Sequence, residues 1–169
     1  MGFLEPHGRG RGAFRRDALS EDSAAPTIAI VVHSLCHAMA ALEAADVAGC
    51  TVTLLSAPGA GIYAGAGWWQ ATVEAAHAAV PAARFSAILD CGDDAGAAQA
   101  GFRAGAKAVI FTGRKDVAAR LAGVAEAHGA RVLTARPLPA LDLAVSFFAD
   151  RETLRRRCAD LLAQPRAIC

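Results

Sequence analysis

The residues of this chain that could do chemistry each stand directly after a β-type apolar run. His33-Ser34 follows Thr27–Val32, and Ser56-Ala57-Pro58-Gly59 follows Cys50–Leu55. Asp90-Cys91-Gly92-Asp93-Asp94 follows Ala87–Leu89, Thr112-Gly113-Arg114 follows Ala108–Phe111, and Ala135-Arg136-Pro137 follows Arg131–Thr134. A histidine titrates near neutrality, and a carboxylate beside it orients the ring, so His33 and Asp90 are the expected acid–base pair. The same junction carries a metal reading: His33, Cys36 and His37 at i, i+3, i+4, with Asp90, are ligand types of a tetrahedral site. His33 lies at the strand end and not on the helix face, so no metal is assigned. Cys91 stands beside acids, which disfavour a thiolate, and no cysteine nucleophile is expected.

The connection Pro58–Trp69 (PGAGIYAGAGWW) is the strongest local anomaly. Gly59, Gly61, Gly65 and Gly67 let backbone approach a ligand closely, and the helix that follows offers free N–H groups to an anion. The spacing Gly59-x-Gly61-x-x-x-Gly65, with Asp90 ending the next run, is a relaxed version of a dinucleotide-binding pattern. That pattern normally follows the first strand of its unit and lacks a Tyr and a Trp pair, so a phosphate or carboxylate cradle ranks ahead of a dinucleotide site, and a tight structural loop without a ligand ranks ahead of both. Tyr63, Trp68 and Trp69 are the only Tyr and Trp residues. Adjacent helical positions lie about 100° apart, so one Trp is expected in the core and the other half-buried over the loop.

These groups need a scaffold that brings them together. The runs are continuous and β-branched, as in strands buried on both faces, and the stretches between them have helical spacing. Ser34 is the expected N-cap of a helix with Leu35, Met39, Leu42 and Val47 as its apolar stripe, closed by Gly49. Asp93 or Asp94 should cap the helix after the third strand, Asp116 the one after the fourth, and Asp150 a terminal one. Strand–helix alternation predicts an α/β fold: a three-layer doubly wound parallel sheet of about five strands, flavodoxin- or Rossmann-like. Order 2-1-3-4-5 is favoured because the first and third runs are the most apolar. It would set His33 beside Asp90 at the switch point, on the edge where such sheets bind ligands.

Residues 1–25 mix Gly, Pro, Arg and acids without a period and are expected to be a disordered tail. Residues 26–149 form the α/β domain, and 150–169 a C-terminal helix and tail. LDLAVSFFAD (residues 141–150) is expected to be helical. The last helix carries Leu154, Cys158, Leu161 and Leu162 on one face, a surface for its own sheet or for a second copy.

Composition bounds the partners. The chain has 169 residues, 54% hydrophobic and 20% charged, with formal net charge +1. No bulk field draws it to nucleic acid or to a membrane, so neither is an expected partner. Five cysteines without C-x-x-C spacing fit a reduced, cytoplasmic compartment.

The stretch TGRKDVAARLAGVAEAHGARVLTARPL (residues 112–138) resembles the last third of a response-regulator receiver domain. In that family a Thr ends the fourth strand and Lys-Pro the fifth, around an acceptor Asp ending the third. Thr112, Asp90 and Arg136-Pro137 hold the corresponding places. Arg replaces the Lys, and His33-Ser34 stands where that family has an acidic pair. The resemblance implies a non-catalytic regulatory or interaction module acting as a dimer.

The leading expectation is a site for a small anionic molecule on the sheet edge. His33 and Asp90 are its catalytic groups. Ser34, Gly59, Gly61, Tyr63, Gly65, Gly67, Trp68, Thr112, Gly113, Arg114 and Arg136 bind the ligand. No cofactor is assigned. A homodimer is the expected assembly, and a nucleotide- or metal-dependent enzyme is the lesser alternative.

Overall fold

The computed structural model describes residues 28–164. The predicted tail, 1–25, lies outside the described residues. Six strands, β1 (Ile28–Val32), β2 (Thr51–Ser56), β3 (Arg84–Asp90), β4 (Ala108–Ile110), β5 (Arg131–Leu133) and β6 (Leu141–Asp142), form one sheet. Every pairing is parallel. The helices are α1 (Leu35–Ala48), α2 (Ala60–Tyr63), α3 (Ala66–Ala79), α4 (Ala95–Ala104), α5 (Lys115–Ala127) and α6 (Arg151–Leu162). The predicted α/β class, a parallel sheet with flanking helices, is what forms.

The strand order corrects the expectation: it is β5-β4-β3-β2-β1-β6, not 2-1-3-4-5. β2 lies between β1 and β3, pairing Ile28 with Val52 on one side and Val52 with Phe85 on the other. Succession runs outward from β1 to β5 and then returns to place β6 on β1's free side. The reversal, and with it the switch point, therefore lies between β1 and β6. Apolarity could not rank the strands. β2 is as buried as β1, with only Thr51 exposed.

Alternate strand residues point to opposite faces, which explains why the runs read as continuous. Ile30, Val32, Val52, Leu54, Leu89, Val109 and Phe111 join the helices in the main core. Ala29, Val31, Leu55, Ile88, Ala108 and Ile110 form a second cluster made of strand residues alone. α1 packs against α3 and α6, α3 against α4, and α4 against α5.

Helix α1 starts and stops as predicted. The Ser34 hydroxyl accepts from the His37 N–H, and Gly49 closes the helix at φ 68°. Its buried face differs from the predicted stripe. Leu35 and Val47 are exposed, and the contact is made by Leu42 with Ala38, Ala41 and Ala45. A helix pressed by two others needs small side chains there, because bulk would hold the backbones apart. Asp94 caps α4 through the Ala97 N–H, and Asp150 caps α6 through the Thr153 N–H. At α5 the cap is Arg114, and Asp116 lies in the first turn.

One expectation about the C-terminal part changes, and one left open is decided. LDLAVSFFAD is not one helix: Leu141-Asp142 is β6, and Leu143–Ser146 is a 3-10 turn that Asp142 caps. The apolar face of α6 is covered by its own chain. Leu154, Cys158 and Leu162 are buried in the main core, and Arg151 pairs with Glu43 of α1.

Candidate functional site

The carboxyl ends of the strands carry two polar clusters, side by side along one edge. The first is built on Asp90, whose side chain is 6% exposed. Its Oδ1 accepts from the Gly59 and Gly92 amides, each at 2.9 Å. Its Oδ2 accepts from Arg136 Nη1 at 2.5 Å, and Arg136 Nη2 donates to the Ser56 carbonyl at 2.7 Å. The Asp90 N–H donates to Ser56 Oγ at 2.9 Å. Asp90 therefore ties the ends of β2 and β3 to the β5–β6 connection. Within the Gly loop it is the Gly59 amide that is taken, by the chain's own carboxylate. Gly59 takes φ 68° to present its N–H. Gly61 has another reason to lack a side chain: a Cβ there would stand 2.5 Å from Cys91 Sγ.

The second cluster lies at the switch point. His33 Nε2 meets Asp142 Oδ1 at 2.7 Å, with the His33 side chain 19% exposed and that of Asp142 45%. Asp142 Oδ1 also accepts the Ala144 N–H. Burial works to raise the Asp142 carboxyl. The Ala144 amide, the His33 ring and the Arg136 charge outweigh it and hold the group below the ordinary carboxylate range. The His33 N–H donates to His37 Nδ1 at 3.2 Å, so the His37 ring keeps its proton on Nε2. Burial first, and the His33 charge second, lower the His37 imidazole from its ordinary value, against the Phe147 backbone and the Asp142 carboxylate, which work to raise it. Its Nε2 is buried without a hydrogen-bond partner, and its ring meets Phe147 edge-on at 5.5 Å.

The predicted His33–Asp90 pair does not form, because β2 separates the two strands and each group has another partner. His33 remains a candidate acid–base group, with Asp142 as its carboxylate. Asp142 was missed because its neighbours read as helix. The usable signal was Leu-Asp-Leu after two prolines, with an N-cap residue where the strand stops. Ser56 was visible as a strand-end hydroxyl but not as the hinge of the Asp90 network.

The remaining predicted residues divide. Ser34 is spent on the α1 cap. Trp69 is buried and Trp68 half-buried, as expected, while Tyr63 on α2 is exposed. Gly65 caps α3 at φ 87°, and Gly67 is exposed in its first turn. The Thr112 N–H is used by the Gly92 carbonyl, and a Cβ at Gly113 would overlap the Phe111 ring. Arg114 is turned onto Asp116 in a two-pronged pair. Burial first, then Asp90 and Asp94, push the Cys91 thiol up to about 12, which disfavours the thiolate. Among the described residues, no three His, Cys, Asp or Glu side chains converge as metal ligands. No described helix is long and apolar enough to cross a membrane.

Fold and site together define an α/β protein that gathers its polar groups on the carboxyl edge of a parallel sheet. No family model and no curated protein matches the chain. Among solved structures it is similar to a chain assigned as a fructose-1,6-biphosphate aldolase from Coccidioides immitis, at 20% identity and TM-score 0.53. The match covers 63% of this chain and 40% of that one, and it is a likeness of α/β fold.

Proposed function

We propose that the protein binds a small anionic molecule at the β1–β6 switch point, with His33 as its acid–base group. The observation that carries this reading is the 2.7 Å contact of His33 Nε2 with Asp142 in a partly open site. Asp142 fixes the tautomer with the proton on Nε2, which leaves the Nδ1 lone pair for a ligand proton. Arg136 supports the anion. Asp90 and the Ser56 carbonyl pin its guanidinium through one N–H on each terminal nitrogen, and three further N–H groups remain on a side chain that is 22% exposed. Proton transfer on a bound acid is the chemistry such a pair can supply.

Thermal-shift titration tests this reading with inorganic phosphate, small carboxylates and nucleotides. The aldolase neighbour adds fructose 1,6-bisphosphate to that panel. An anion that stabilises the wild type should lose its effect in His33→Gln and retain only part of it in Asp142→Asn, because a ligand stabilises a protein in proportion to its occupancy. An equal shift in all three proteins overturns the proposal.

A second reading, a regulatory module acting through a dimer surface, is favoured by a different observation. The Asp90 carboxylate is satisfied internally, and Ile62 and Tyr63 of α2 are exposed near it. Such an aromatic and apolar surface suits a protein contact. Concentration-dependent light scattering that is abolished by Tyr63→Ser would favour it over the first.

A further inference from the structure

A concavity lies beyond Asp142, between the 3-10 turn Leu143–Ser146 and α6. It is broadly open to solvent and has a volume of about 370 Å³. Val145, Phe147 and Phe148 supply its apolar wall, and Ser146, Thr153 and Arg157 its polar one. Phe148 is 96% exposed and meets the Phe147 ring edge-on at 5.1 Å, an aromatic corner left open to water. Ser146 Oγ is buried in this wall without a hydrogen-bond partner.

The charge on α6 singles out one residue. Arg151 pairs with Glu43, and both Arg155 and Arg156 pair with Glu152. Arg157 has no acidic partner among the described residues, and it is the arginine that lines the concavity. One unpaired guanidinium beside an open aromatic corner matches a ligand with a single negative charge and an apolar body. A dianion would find no second free cation there, and a neutral apolar molecule would leave Arg157 unused.

We propose that this concavity is a binding site for a compact aryl or alkyl carboxylate, separate from the His33–Asp142 pair and independent of its role. Arg157 takes the carboxylate, and the Phe147–Phe148 corner holds the apolar body.

Phenylacetate, its neutral amide and acetate test the proposal in titrations of the 15N-labelled full chain. Phenylacetate should move the amide resonances of Val145–Ala149 and the Arg157 side-chain signal. Phenylacetamide should bind roughly tenfold more weakly, because it forfeits the charge-assisted bond. Acetate, which has no apolar body, should leave these signals in place. Arg157→Gln should equalise acid and amide, Arg157→Lys should restore part of the preference, and Phe148→Ala should weaken both ligands. Both positions are solvent-exposed, so the variants should keep the wild-type spectrum elsewhere. Equal binding of acid and amide by the wild type overturns the proposal. So does the absence of shifts in the Val145–Ala149 amides, or shifts confined to the His33–Ser34 junction.

Discussion

At the scale of single residues, the structure changes what the acids do. Asp90 looks like a site acid in the sequence, yet its two oxygens are consumed by two loop amides and a guanidinium. Removing one partner of a buried pair leaves the other charge uncompensated. Asp90→Asn should therefore destabilise the fold by about 3 kcal/mol, the lower end of the range because Arg136 is partly open to water. Urea unfolding measures it, and a loss under about 0.5 kcal/mol, the size of an ordinary surface change, would deny the network its structural role. Asp142 makes a different prediction. Its carboxyl is lowered from 3.8, so the stability it contributes is present above that value and lost as pH falls through the lower folded value. Asp142→Asn should flatten the fall of stability with pH below about 4. An acid-unfolding curve as steep as that of the wild type would show that the carboxylate makes no such contribution.

At the scale of elements, the caps were legible because each is settled within a few residues. Ser34, Asp94 and Asp150 each put a side-chain oxygen on an amide three residues on. The segment 141–150 was not legible, because Leu-Asp-Leu-Ala-Val-Ser suits either a helix or a short strand followed by a turn. The free side of β1 decides, by offering backbone partners to Leu141 and Asp142. α2 shows how tightly an element can be held by its neighbour. With Cys91 Sγ 2.5 Å and the Asp90 carbonyl oxygen 3.2 Å from a would-be Cβ, Gly61→Ala must push α2 off β3. The expected cost is about 1–3 kcal/mol, read from the shift in the urea midpoint. The same substitution at Gly67, where a Cβ meets nothing within 4 Å, is the control and should be near neutral.

At the scale of the whole molecule, α6 is part of the α/β unit and not an appendage awaiting a partner. Leu154 and Cys158 are fully buried, and α1 is clasped between α3 and α6. A chain ending at Asp150 would expose the alanine face of α1 to water. It should unfold at lower denaturant than the full chain and scatter light as higher-mass species at equal concentration. A truncated chain with the midpoint and mass of the full one would show that α6 contributes nothing to the domain. The same packing withdraws the reason for placing a second copy on α6, and leaves the exposed side chains of α2 as the surface to examine for association.

The sequence by itself determined the α/β class, most strand and helix limits, the caps of α1, α4 and α6, and the presence of one buried and one half-buried tryptophan. Those follow from period, capping chemistry and backbone freedom, which act over a few residues. The tertiary structure alone decided which strands are neighbours, and so which groups meet. The central strands have two apolar faces, so burial is satisfied in more than one order, and the order is fixed by helix packing and by crossovers that span tens of residues. Placing β2 between β1 and β3 moved His33 from Asp90 to Asp142. It also made Asp90 the lock of the Gly loop, and set the switch point at β6.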